Sequence, residues 1–377
     1  MIQEVFAVEQ YMDKYETVIT HNMGETCCDS ISLNDIIEMG SFEKQEIYEN
    51  LSNMKLTYGH ITGSPSLKQQ ICQLYDSATP EQVVITNGAI GANFLALYSI
   101  VCPGDTVIVI QPTYQQLSSV PKMFGAKVVI YDLKFEENFL PNLSDLKRLF
   151  EQYSPKLLIF NNPNNPSGAV ASDSLMKSLI GFCQNHDTYL MCDEVYRPLY
   201  HNITEKPKSA LDYGYGKVIV TSSMSKAWSL AGIRLGWVIT NDKSVLEDLL
   251  DKRHYNMISI SMVDDYIATL ALKVRDKIIS RNEALCNKNL KILQEFIDKN
   301  SQYLSWVKPT GGSTCFIKLN NINSHDFCVE MAEKFKALIV PGEVFERPGY
   351  IRVGFGNSTT DIVNGLTQIE KYLQTLE

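Results

Sequence analysis

The 377-residue chain sets 34 lysine and arginine residues against 43 aspartate and glutamate residues, a formal net charge of −9, with no basic tract. That balance argues against nucleic acid as a partner. Residues 1–15 carry Glu4, Glu9, Asp13 and Lys14 without an apolar run, and no later segment approaches the length of a membrane span, so a soluble, cytosolic protein is expected.

The length exceeds that of a typical single domain, and two domains are expected. Residues 1–40 show little periodicity and read as an arm joined to part of a small domain. From about residue 83 short apolar strands alternate with longer helical stretches, the pattern of an α/β fold with a mostly parallel sheet covered by helices. Seven candidate strands lie at 82–86, 106–110, 127–131, 156–160, 188–192, 217–220 and 236–240; helical periodicity marks 91–100, 143–152, 172–185 and 244–255. The large domain is thus expected over 41–255. Beyond it comes a long charged helical stretch at 262–299 with a solvated face, then strands at 315–319 and 350–355 around a helix near 326–335: a smaller α+β domain over 256–377. The nine cysteines are odd in number, form no Cys-x-x-Cys pair and often sit in apolar runs such as Leu190-Met191-Cys192, which suits buried reduced thiols.

Polar motifs fall at the carboxyl ends of these strands, where open α/β sheets gather ligands. Lys226 lies in Thr221-Ser222-Ser223-Met224-Ser225-Lys226, followed by Gly232-Ile233-Arg234-Leu235-Gly236. Its amine can condense with an aldehyde, while Ser223, Ser225 and Arg234 supply donors and charge for a phosphate, so the implied cofactor is pyridoxal phosphate. A solvated loop lysine is the plain alternative. Asp193, in Asp193-Glu194-Val195-Tyr196, leaves an apolar strand and is costly to bury unless it meets a cation such as a protonated pyridine nitrogen; an exposed loop acid or N-cap is the other reading. Tyr196 can reach the phenolate oxygen of the same ring.

Thr86-Asn87-Gly88-Ala89-Ile90-Gly91 follows a strand and opens a helix, so the amides of Ala89 and Ile90 can face an anion. Tyr114 can stack on a flat heteroaromatic ring or simply pack. In Asn161-Asn162-Pro163-Asn164-Asn165-Pro166-Ser167-Gly168, Asn165 can donate to a phenolic oxygen. Arg352 stands alone in the apolar run Tyr350-Ile351-Arg352-Val353-Gly354-Phe355 and suits a substrate carboxylate or a structural ion pair.

In their joint order, Tyr58, Gly88-Ala89, Tyr114, Asn165-Pro166-x-Gly168, Asp193-x-x-Tyr196, Ser223-x-x-Lys226, Arg234-x-Gly236 and Arg352 resemble the class I/II aminotransferases, fold type I enzymes dependent on pyridoxal phosphate. The resemblance spans about residues 55–355. It implies that Lys226 forms the Schiff base and moves the substrate α-proton, and that Asp193 partners the pyridine nitrogen. Asn165 and Tyr196 would hold the phenolate oxygen, and Tyr114 would stack on the ring. Gly88, Ala89, Ile90, Ser223, Ser225 and Arg234 would hold the phosphate. Arg352, with Asn165, would take the carboxylate of an amino acid or 2-oxo acid. Tyr58 matches a tyrosine that reaches the phosphate of the other subunit, which implies a homodimer with shared active sites.

The segment Asn22-Met23-Gly24-Glu25-Thr26-Cys27-Cys28-Asp29 departs from the family's glycine-glutamate-proline arm, and no second arginine can be assigned to a side-chain carboxylate. A C–S β-lyase or a capreomycidine-synthase-like cyclase therefore stays open beside transamination. A non-catalytic effector-binding domain is a more distant alternative, because only a short arm precedes Tyr58.

Overall fold

Runs of valine, isoleucine and leucine bounded by polar turns suit strands that are covered on both faces. The computed structural model describes residues 3–376. β1 (His21–Asn22) lies in the arm. The large sheet is built from β2 (Val83–Thr86), β3 (Thr106–Gln111), β4 (Lys127–Asp132), β5 (Leu157–Asn161), β6 (Tyr189–Asp193), β7 (Val218–Ser223) and β8 (Gly236–Thr240), in the order β2-β8-β7-β6-β5-β3-β4. Pairing is parallel from β4 across to β7, while β8 runs against both β7 and β2. This is the expected α/β sheet, with one strand reversed.

The alternation of side chains explains the continuous apolar runs. Val84, Val109, Ile159, Met191, Ile219 and Val238 share a core with helices Gly88–Ile100 and Lys243–Lys252. Their neighbours Ile85, Ile108, Leu158, Cys192, Val220 and Ile239 enter the second, larger core. With both faces buried, the polar groups that do real chemistry are confined to strand ends.

The C-terminal part carries a second sheet. β9 (Leu304–Trp306), β10 (Thr314–Leu319), β12 (Val340–Pro341) and β13 (Tyr350–Gly354) are antiparallel in the order β12-β13-β10-β9, and β11 (Ala337–Leu338) pairs in parallel with β1. His21 thus sits opposite Ala337 and Asn22 opposite Leu338, which stitches the arm to this layer.

The structure differs from the sequence reading in three places. The first 40 residues hold two helices, Ala7–Tyr15 and Leu33–Gly40, the second closed by a reciprocal cap between Ser32 and Asp35. The stretch expected as one long helix is two, Met262–Lys273 and Arg275–Lys299, because Val274 leaves the helical region at φ −113°, ψ 19° and its amide bonds back to Ala271. The second of these helices is not simply solvated: Asn282 and Asn289 are buried, and Asn282 donates at 2.8 Å to both the Ala227 carbonyl and the Ser229 hydroxyl. Among the described residues all nine cysteines are free thiols.

Candidate active site

Strand register brings the motifs into line. Asn161 lies opposite Asp193, and Asp193 opposite Thr221, across β5, β6 and β7; one row on, Ser223 and Thr86 both oppose Gly236. β7 runs three residues further than its apolar core, so Ser223 is a strand residue rather than part of a turn. The helix expected from residue 91 begins at Gly88, placing Ala89 and Ile90 in its first turn.

Asp193 is 3% exposed and engages no salt bridge among the described residues. Asn93, on helix Gly88–Ile100, donates to its Oδ2 at 2.9 Å, and the Val195 amide donates to Oδ1 at 3.0 Å. Thr221 in turn donates to Asn93 Oδ1 at 2.6 Å, which orients the amide with its donor toward the acid. Burial pushes the Asp193 carboxyl above the ordinary range, against the opposing pull of Asn93, Val195 and the Lys226 charge. Its backbone carbonyl accepts from Asn161, whose own Oδ1 accepts from the Asn165 amide at 2.6 Å.

Lys226 meets the arm. Its Nζ donates to Thr26 Oγ1 at 2.5 Å and to Cys27 Sγ at 3.3 Å. Glu25 Oε1 accepts from the amides of Thr26 and Cys27 at 2.6 and 2.7 Å, fixing the turn that presents them. Burial alone would lower the Lys226 amine, but Cys27 and Tyr196, where they are ionised, and Glu25 outweigh it and hold the amine above its ordinary range. Burial pushes the Cys27 thiol up to about 11 and raises the Tyr196 phenol as well. Both are therefore neutral at neutral pH. Glu25, which Lys226 and the two amides hold below its ordinary value in spite of burial, is the negative charge that faces the amine there.

Next to this amine lies an anion cradle. Asn87 gives helix Gly88–Ile100 no side-chain cap, so its first amides are unclaimed by a side chain. Gly88 takes φ +70°, and a Cβ there would stand 2.9 Å from Arg234 Nη2. Arg234 Nη1 approaches Ser225 Oγ at 3.5 Å and the Ala231 carbonyl at 2.8 Å, and the Ser225 amide donates to Ser223 Oγ at 3.2 Å. A Cβ on Gly236 would lie 2.8 Å from the Ala89 nitrogen, so only glycine lets β8 pass this close to the helix end. Ile90 has an exposed side chain, and its carbonyl accepts from Gln116 at 2.7 Å.

Arg352 is 4% exposed. It donates from Nη2 to the Gly24 carbonyl at 3.0 Å and from Nη1 to Asn165 Oδ1 at 3.3 Å, while its buried Nε has no partner among the described residues. Burial lowers its pKa, and among the described residues no ion pair claims it. Tyr114 is half-buried beside Phe6, ring centroids 5.1 Å apart, and its hydroxyl donates to Glu9 at 2.9 Å. Tyr58 stands apart, 63% exposed on the surface.

The structure therefore brings together Lys226, Asp193, Tyr196, Asn165, Ser223, Ser225, Arg234, Arg352 and the helix start at Gly88. It does not bring Tyr58 to them within one chain. Sequence reasoning missed Asn93, although a lone amide in an apolar helix is a usable signal, and missed Thr26, Cys27 and Glu25, which only the folded chain sets beside Lys226. The donor set fits pyridoxal phosphate: a buried carboxylate without a salt bridge, an uncapped helix start flanked by an arginine and hydroxyls, and a primary amine next to both.

Comparison with known proteins agrees. The family model for class I and II aminotransferases matches residues 35–369. A crystal structure of a PLP-dependent aminotransferase from Streptococcus suis 89-1591 is 35% identical, covering 100% of this chain and 99% of its own, with a TM-score of 0.95. An aspartate aminotransferase of Thermotoga maritima is 29% identical over 303 residues, 79% of this chain and 77% of that protein. A capreomycidine synthase of Streptomyces vinaceus is 26% identical over 326 residues, 86% of this chain and 83% of that protein. With a family match over most of its length and a 35%-identical structure aligned end to end, the chain belongs to the class I and II aminotransferases, enzymes that use pyridoxal phosphate.

Proposed function

We propose that the protein is a cytosolic homodimer that moves the amino group of an L-amino acid to a 2-oxo acid, with each active site completed by Tyr58 of the second subunit. The observation that carries this reading is the convergence of Lys226, the salt-bridge-free Asp193 and the uncapped helix start at one edge of the sheet. Bound pyridoxal phosphate supplies an aldehyde and an electron-accepting ring. Asp193 would hold a proton on the ring nitrogen, Asn165 and Tyr196 would hold the phenolate oxygen, and Tyr114 would pack on the ring face. The amides of Ala89 and Ile90, freed by the φ of Gly88, hold the phosphate with Ser223, Ser225 and Arg234. Arg352 orients the substrate carboxylate, its unpartnered Nε and its fork suiting a two-point contact. The Lys226 amine would accept the proton from the substrate Cα and hold it for return on the same face.

Dimerisation is supported by an exposed apolar surface. Leu56 is 81% exposed, Tyr58 63%, Ile61 41%, Tyr255 83% and Ile258 50%, and Arg253 donates to the Ile61 carbonyl, which makes the two segments neighbours. No helix of the described residues is long and apolar enough to cross a membrane, in keeping with a soluble location. Family membership favours transamination over the lyase and cyclase alternatives.

Single amino acids added to the loaded enzyme provide the test. Stoichiometric conversion of the yellow chromophore to the amine form of the cofactor, with release of a 2-oxo acid, is the expected result. Return to the starting spectrum with release of ammonia or a thiol would overturn it in favour of a lyase.

A further inference from the structure

The arm residue next to Lys226 has a function of its own. We propose that Thr26 is a positioning residue: its hydroxyl oxygen is the acceptor that holds the Lys226 amine in one place whenever that amine is not bonded to carbon. The proposal rests on the assignment of Lys226 as the amine that engages the cofactor. It deepens that assignment by naming what the amine does between bonds.

The contact is short and its acceptor is rigid. Nζ stands 2.5 Å from Thr26 Oγ1, a close contact between a charged donor and a hydroxyl acceptor. Thr26 is buried; its amide is held by Glu25 at 2.6 Å and its carbonyl accepts from the Ser313 hydroxyl at 2.5 Å. A β-branched side chain on a backbone tied at both ends is restricted at χ1, so the oxygen is aimed. Cys27 Sγ, at 3.3 Å, closes the other side of the same seat.

A lysine stem is long and mobile, and a free amine on it would sample many positions. Returning it to a single acceptor keeps its orientation toward the substrate carbon, where small displacements are costly in rate. The groups that face the amine are Cys27 and Glu25 from the arm and Tyr196 and Asp193 from the end of β6 and the turn after it. Arg352 faces Glu25 and Tyr196 from β13 and opposes their influence. Thr26 stands where the family pattern has proline, which offers no side-chain acceptor.

The test compares Thr26→Val, Thr26→Ser and Cys27→Ala in the full chain. In cofactor-free protein the readout is the rate at which 2,4-dinitrofluorobenzene modifies Lys226, located by peptide mass. Valine keeps the volume of threonine and so leaves reagent access unchanged, but it removes an acceptor from a charged amine. Lys226 should then lose its proton more readily and react about tenfold faster at a fixed, mildly alkaline pH, the worth of one hydrogen bond from a charged donor. Thr26→Ser should stay within about twofold of the parent, and Cys27→Ala should change the rate less than Thr26→Val does. In loaded enzyme, washout of the substrate α-proton should slow about tenfold in Thr26→Val with KM unchanged, and recover in Thr26→Ser.

Equal rates in parent and Thr26→Val, or equal shifts in the serine and valine variants, would overturn the proposal. A larger shift in Cys27→Ala than in Thr26→Val would also overturn it, passing the role to the thiol. If Thr26→Val does not fold, Thr26→Ala is read in the same way. Failure of the underlying assignment is seen separately: borohydride reduction of the loaded parent would then tag a lysine other than Lys226, whatever the cofactor-free rates show.

Discussion

Asn93 donates to Asp193 at 2.9 Å, so an amide on a helix buried against the sheet reaches the acid at the end of a strand a hundred residues later in the chain. Its other end is held by Thr221, and the amide cannot turn without losing both contacts. Replacing Asn93 by leucine removes a donor to a buried carboxylate, a loss of about 1.5–3 kcal/mol. The sign follows from what the donor does: it favours ionised Asp193, the form that pairs with a protonated ring. Cofactor affinity of Asn93→Leu should therefore fall by about tenfold or more, measured by fluorescence titration.

The pH behaviour of cofactor-free protein follows from the same acid. Burial raises the folded pKa of Asp193 above its ordinary 3.8, so the folded state binds the proton more tightly than the unfolded chain. Stability is then lost as pH rises from the ordinary value through the raised one, and the loss persists at neutral pH. Cofactor-free Asp193→Asn should melt above the parent at neutral pH, by roughly 1–3 °C, and the gap should close on acidification. With Asp193 as the proposed partner of the ring nitrogen, turnover of the loaded variant should drop by about 100-fold or more.

Arg352 reaches Gly24 and Asn165 through separate nitrogens and keeps Nε in reserve. Lysine cannot reproduce that fork. Arg352→Lys should raise KM for amino and oxo acids by roughly 10–100-fold, with a smaller change in kcat, in steady-state assays.

Gly236 allows β8 to pass the start of helix Gly88–Ile100. A Cβ there would meet the Gly88 carbonyl group and lie 2.8 Å from the Ala89 nitrogen, backbone atoms that cannot swing aside. Gly236→Ala should cost about 1–3 kcal/mol of stability. It should also weaken phosphate binding, seen as loss of cofactor on dialysis.

The proposed sharing of sites between two subunits is tested by complementation. Lys226→Ala and Tyr58→Ala homodimers should each be impaired in every site. Mixed subunits place an intact Lys226 beside an intact Tyr58 in one of the two sites of each heterodimer. Random reassociation of equal amounts should restore about a quarter of parental activity. Absence of any recovery would show that each subunit works alone.

Much of this architecture could be read from residue order. Central strands announce themselves because burial on both faces admits only apolar side chains, and Asp193, Ser223 and Asn161 stand out as the polar residues that end them. Helix Leu33–Gly40 carried a signal that the sequence analysis passed over, the Ser32 and Asp35 spacing of a capping box. Helix Ala7–Tyr15 has no side-chain cap, and the break at Val274 carries no glycine or proline, so neither had a local signal. Thr26 and Glu25 belong to a third class. Their place beside Lys226 is set by the pairing of β1 with β11 and by the Gly24 contact to Arg352, relations between distant segments that no local window contains.

The arm's attachment also dictates when the site comes into being. Thr26 meets a lysine 200 residues downstream, and Gly24 meets an arginine 328 residues downstream. Contacts of such sequence separation form late, after nearer pairings have ordered the sheet. During synthesis the strands around Lys226 are complete long before β13 has emerged to receive the arm. Until that docking is made Lys226 lacks the acceptors Thr26 and Cys27, so the last long-range contact of the arm is also the one that takes the lysine into custody.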